Sequence, residues 1–125
     1  DVRTGLEALR GQRVAATLSN GHVALLVDLA RHGDLRFDCV LSAEMAHAYK
    51  PAPEVYQTAA RLLAVEPGEL MLVAAHPWDL EGARRAGLQT AFVDRPQEYG
   101  SGSPAREYPA ADQSVADLHE LAARL

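Results

Sequence analysis

The stretch from Leu70 to Val93, LMLVAAHPWDLEGARRAGLQTAFV, sets two apolar runs on either side of a helix-forming segment. Leu70–Ala75 (LMLVAA) and Thr90–Val93 read as strands, and Leu80–Ala86 reads as a helix that Gly87 ends. Both apolar runs are continuous rather than alternating, which is the pattern of a strand covered on both faces. Strand, helix and strand in that order make one βαβ unit of a parallel sheet. Working outward, Phe37–Leu41 (FDCVL) and Arg13–Leu18 (RVAATL) repeat the same short apolar pattern between turn residues. His22–His32 and Pro53–Ala64 supply the intervening helices, the first capped by Gly33 and the second opened by proline. Leu6 and Leu9 belong to a helix already under way at residue 1, which Gly11 stops. Pro96–Pro109 is a loop by composition, and Ser114 opens a last helix running to Leu125, with Asp117 in capping-box spacing. The expectation is a doubly wound α/β fold.

The 125 residues suit one compact domain or a piece of one. A hydrophobic share of 48% with 23% charged residues excludes a wholly disordered chain. The formal charge of −5 argues against nucleic acid and anionic membranes as partners. One cysteine, Cys39, rules out an internal disulfide framework and a multi-cysteine zinc site, and points to a reducing compartment such as the cytoplasm. No apolar run is as long as a membrane span. The opening DVRTG is not a signal peptide and has no initiating Met, so a processed or truncated chain is expected.

In such a sheet, ligands bind beyond the carboxyl ends of the strands. Three segments there carry polar groups: Ser19-Asn20-Gly21, the run from Tyr49-Lys50 to Tyr56, and Ala74-Ala75-His76-Pro77-Trp78-Asp79. Lys50 is the only lysine among 12 basic residues, and a compact ammonium does what a planar guanidinium cannot. The competing reading is a solvated residue before a helix. Ser19 and Asn20 suit an anion site at a helix start, and equally suit a plain cap and turn. Asp79 could orient Lys50 or bind a metal, although a first-turn carboxylate is common without any function. The five histidines show no metal-ligand spacing. Cys39 and Trp78 read as packing residues.

Taken in order, LSNG (18–21), YKPAPEVY (49–56) and VAAHPWDLEGARRAGLQTAFVDRP (73–96) resemble the haloacid dehalogenase-like hydrolase superfamily, most closely its 2-haloacid dehalogenase branch. The resemblance runs over residues 13 to 96 and covers three of that family's four motifs. It implies a Rossmann-like core and hydrolysis through a covalent intermediate on an aspartate. It also implies catalytic roles for Lys50, which would balance charge on that aspartate, and for Asp79, which would position the lysine. Ser19, with Asn20 beside it, would hold the anionic group of the substrate. Tyr56 matches a tyrosine of the dehalogenase branch, and His76 stands where that branch has asparagine, so both are expected on the substrate side.

Two departures from the family pattern matter. Ala74-Ala75 stands where the metal-using phosphatases carry a first carboxylate, so no metal and no cofactor is expected. The first motif, DxDGT or DxYGT, does not occur here, nor does the cap region that follows it. Residues 1–125 are therefore expected to be the carboxyl-terminal portion of the core, incomplete without an amino-terminal strand and cap. The nucleophile would lie outside the chain. The family's missing strand belongs between Arg13–Leu18 and Leu70–Ala75, which leaves a slot for that segment or for a second copy. The implied reaction converts a small 2-halo carboxylic acid, an anionic substrate, to the 2-hydroxy acid. The alternatives are a phosphatase of the same superfamily, with Mg2+, and a non-catalytic interaction module.

Overall fold

The structure, a computed structural model, describes residues 2–94 and 107–125. Helix α1 (Val2–Arg10) leads to β1 (Ala16–Ser19), α2 (Val23–His32) and β2 (Cys39–Ser42). A 3-10 turn (Ala43–Ala46), α3 (Pro53–Leu62) and a second such turn (Pro67–Glu69) lead to β3 (Met71–Ala74). The chain then forms α4 (Pro77–Arg85), β4 (Gln89–Val93), β5 (Gln113–Val115) and α5 (Leu118–Arg124). Among the described residues every strand pairing is parallel, and the strands form two sheets: β1 with β2, and β3-β4-β5 with β4 in the middle.

The strand β4 organises the core. Its Ala91 and Val93 pack with Leu9, Val115 and Leu121 between the sheet and helices α1 and α5. Phe92 points the other way, into Tyr56, Leu72, Leu80, Ala83 and Leu88 under α3 and α4. Period-two geometry thus explains why the run is apolar throughout: each successive side chain enters a different cluster. Burying one aromatic such as Phe92 contributes about 1.5–3 kcal/mol. By contrast, every residue of β1 is only half-buried.

Between the sheets runs a cleft of about 510 Å³, lined on one side by Ala16–Leu18 and on the other by Leu70–Val73. The expected slot between these strands is present. The loops that follow β1 and β2 are tied together at one end of it. Ser42 Oγ donates to Gly21 O at 2.5 Å and accepts from Glu44 N at 3.0 Å. Glu44 in turn accepts from Val23 N at 2.9 Å, at the start of α2.

Several boundaries differ from the sequence reading. The first two strands start later than expected, at Ala16 and Cys39, because Asp38 is engaged just before them. Its carboxylate accepts from Ala15 N at 2.7 Å and from Arg10 Nη2 at 3.1 Å. Those contacts hold the Asp38 carboxyl below its ordinary value, the Ala15 N–H contributing most. Val14, read as part of the strand, is 71% exposed. Helix α4 opens at Pro77 rather than Leu80, its proline occupying a first-turn site where the missing N–H is harmless. Ser114 is not a cap: it lies in β5 opposite Phe92, a strand missed because two of its three residues are polar. Asp117 is the true cap of α5, accepting from Glu120 N at 2.8 Å. The expected loop Pro96–Pro109 falls outside the described residues up to position 106.

Candidate active site

The carboxyl ends of β1, β2 and β3 deliver their loops to one place. Lys50 lies beyond β2, and Asp79 sits in the first turn of α4, just beyond β3. Lys50 Nζ and Asp79 Oδ2 are 2.7 Å apart, with side chains only 7% and 9% exposed. The other carboxylate oxygen, Oδ1, accepts from the Tyr56 hydroxyl at 2.7 Å. That hydroxyl also lies 3.2 Å from Asp79 O. Asn20, at the end of β1, accepts from the backbone N–H of Lys50 at 2.7 Å. Ser19 is the last residue of β1, and its Oγ accepts from Gly21 N at 3.2 Å, a local turn contact.

The structure thus brings Asn20, Lys50, Tyr56 and Asp79 together. Tyr56 is fully buried, and its hydroxyl is committed to Asp79. It braces the carboxylate from below rather than facing the solvent side. His76 caps the start of α4 without a side-chain cap bond and stacks on Trp78, with ring centroids 6.3 Å apart. Trp78, read as packing, is 51% exposed.

Burial and, after it, the neighbouring Asp79 carboxylate push the Tyr56 phenol well above its ordinary value. A raised folded value favours the neutral phenol. Its stabilising contribution is complete below the unfolded value, about pH 10, and fades as pH rises toward the folded one. One of the four tyrosines is therefore expected to resist ionisation until the protein unfolds in alkali. Tyrosinate absorbance followed through an alkaline titration checks this, and Tyr56→Phe should abolish the late component.

The described residues do not by themselves assemble a magnesium site. Both oxygens of Asp79 are engaged, by Lys50 and by Tyr56. Among the described residues, no group of three or more His, Cys, Asp or Glu converges as metal ligands would. What the arrangement offers instead is a fixed ammonium, nearly dry, aimed by a braced carboxylate. Such a charge stabilises a neighbouring anion without reorganising.

One participant escaped the sequence reading. Gly82 lies on α4 one turn after Asp79 and faces Tyr56 and Pro51. The signal was available, since a glycine inside a helix costs about 1 kcal/mol against alanine and asks for a reason.

Comparison with known proteins agrees with this architecture. A family model described as haloacid dehalogenase-like hydrolase matches residues 1–87. The (S)-2-haloacid dehalogenase 1 of Pseudomonas sp. (strain CBS-3) is 37% identical over 88% of this chain and 49% of its own length. A solved L-2-haloacid dehalogenase superposes with a TM-score of 0.88 at 45% identity, over 97% of this chain and 54% of that one. The Xanthobacter autotrophicus L-2-haloacid dehalogenase, solved with chloropropionic acid covalently bound, gives 0.80 at 27% identity, covering 97% of this chain and 58% of that one. The chain spans about half the length of the curated relatives it matches. Among the described residues, no helix is long and apolar enough to cross a membrane. The parallel α/β core, the family match and these neighbours lead to one conclusion: the chain belongs to the haloacid dehalogenase-like hydrolase family.

Proposed function

We propose that this chain is the carboxyl-terminal portion of the core of a 2-haloacid dehalogenase, acting in the cytoplasm on a small 2-halo carboxylate. A carboxylate from outside residues 1–125 attacks the halogen-bearing carbon, the halide leaves with the bonding pair, and an ester forms. Water then adds to the ester carbonyl, one of its protons passing to the departing alkoxide oxygen and the other to solvent, which releases the 2-hydroxy acid and restores the carboxylate. Lys50 keeps the attacking aspartate ionised and offsets charge on the intermediate. Asp79 aims Lys50, and Ser19, Asn20 and His76 are the groups assigned to the substrate carboxylate. Tyr56, assigned to the substrate side from the resemblance, acts here through Asp79.

The observation that carries this reading is the 2.7 Å Lys50–Asp79 pair, held nearly dry beyond the carboxyl ends of β2 and β3, with the cleft running between β1 and β3. Unpaired strand edges on both walls favour a parallel strand as occupant, which would present its carboxyl end beside Lys50. A second copy of the chain is the competing occupant. The absence of a second carboxylate at Ala74-Ala75 favours a metal-independent dehalogenase over a phosphatase.

The test combines this chain with the amino-terminal half of the 37% identical Pseudomonas dehalogenase and measures chloride released from 2-chloropropionate. Release by the combined protein, unaffected by chelators, and none by this chain alone is the expected result. Magnesium-dependent phosphate release from a phosphate ester, without chloride release, would replace the reading with a phosphatase.

A further inference from the structure

Gly82 occupies the middle of α4, where glycine is the poorest helix former after proline. A Cβ placed there would lie 2.8 Å from the Tyr56 hydroxyl oxygen, 2.8 Å from Pro51 Cβ and 3.0 Å from Tyr56 Cε2. The two 2.8 Å approaches are closer than a Cβ tolerates and the third is tight, and neither neighbour is the loose end of a flexible chain. Tyr56 is fully buried, and Pro51 is a rigid ring joined directly to Lys50. Each residue adjoins one member of the ion pair: Tyr56 donates to Asp79 Oδ1, and the exposed Pro51 follows Lys50 directly in the chain.

We propose that Gly82 is a positioning residue for the Lys50–Asp79 pair. The bare Cα lets α4 close on Tyr56 and Pro51 far enough for the carboxylate to meet the ammonium at 2.7 Å. Any side chain at position 82 displaces both neighbours at once and opens the pair. The catalytic meaning of this rests on the dehalogenase reading of Lys50; the placement itself does not.

A second glycine separates this role from ordinary helix packing. A Cβ at Gly5 would lie 2.7 Å from Leu118 Cβ, where α1 meets α5, as crowded a position but remote from the pair. Gly5→Ala should therefore loosen the fold without reaching Lys50.

Lys50 is the only lysine, so an amine-acylating reagent such as acetic anhydride reports on it alone once the amino terminus is set aside by peptide mass analysis. In the full chain the buried, paired ammonium should acylate slowly. Gly82→Ala is expected to raise the Lys50 rate about tenfold, the weight of one hydrogen bond to a charged group. Tyr56→Phe withdraws the hydroxyl without crowding and should raise the rate as well. The double variant should exceed Tyr56→Phe alone, because the new Cβ still crowds Pro51, but fall short of the product of the two effects, because both also act on Asp79. Gly5→Ala should leave the rate within about twofold of the original, since distant sites act independently.

An unchanged rate in folded Gly82→Ala, or an equal rise in Gly5→Ala, would overturn the proposal. If Gly82→Ala does not fold, the same substitution in the Tyr56→Phe background decides, because the nearest oxygen is then gone. Folding with Lys50 faster than in Tyr56→Phe alone supports the proposal, a rate equal to that of Tyr56→Phe alone overturns it, and failure of both to fold assigns Gly82 to packing alone. A protein with this acylation pattern and no chloride release would refute the dehalogenase reading and leave the role of Gly82 standing.

Discussion

Asp79→Ala should remove about 3–5 kcal/mol of folding free energy, the usual consequence of taking one partner from a buried ion pair. Alanine leaves the Lys50 ammonium 7% exposed and without its carboxylate. It also removes the shorter of the two acceptors of the fully buried Tyr56 hydroxyl, leaving only the backbone carbonyl of residue 79 at 3.2 Å. Against a total stability of about 5–15 kcal/mol for a domain, the variant should be largely unfolded at moderate urea. The cost belongs to the broken pair, not to the pair's net worth. Replacing Lys50 and Asp79 together by methionine and leucine should therefore recover much of the loss. Urea midpoints at constant slope measure both variants. A loss below about 1 kcal/mol for Asp79→Ala would mean that the pair behaves as a solvated surface contact.

Lys50→Arg should lower turnover of the assembled enzyme about a hundredfold, the scale of losing roughly 3 kcal/mol of transition-state charge stabilisation. The pocket around Nζ is shaped for one compact centre, with Asp79 Oδ2 at 2.7 Å and Tyr56 closing off the other carboxylate oxygen. A guanidinium keeps the charge but spreads it over a plane and needs more room. The loss should fall on kcat rather than KM, because the charge contact strengthens as the intermediate forms. Chloride release at saturating 2-chloropropionate measures it. Partial restoration of Lys50→Ala by added ethylamine would show that a small ammonium at that point is what the chemistry needs. Unchanged turnover in Lys50→Arg would remove Lys50 from the reaction.

The fold was legible where the apolar runs were long enough to speak. Leu70–Ala75, Leu80–Ala86 and Thr90–Val93 define a βαβ unit because both faces of its strands are buried, and period and composition agree there. The polar strand Gln113–Val115 was silent, since two of its three side chains carry no hydrophobic signal. The starts of β1 and β2 were misplaced because Asp38, a residue that propensity assigns to no strand, locks the chain just before pairing begins. For the candidate site, the residue types and their order along the chain were readable from the sequence. The bracing of Asp79 by Tyr56 was not, because a tyrosine on an amphipathic helix does not announce where its hydroxyl points. Nor was the close approach at Gly82, which depends on the distance between two helices.

The division into two sheets has a consequence for how the molecule breathes. Strand β4 is packed on both faces and anchors the most protected part of the chain, whereas β1 is half-buried throughout. Local opening follows burial, so the β1–β2 pair is the cheaper unit to release. The Lys50–Asp79 contact joins a loop of the labile unit to a helix of the durable one. An excursion of β1 and β2 would pull on that contact from the Lys50 side while β4 stays intact. The ammonium should be best aimed while the weaker unit is docked. Whatever fills the cleft favours the docked state, and so couples assembly of the molecule to the readiness of its charge.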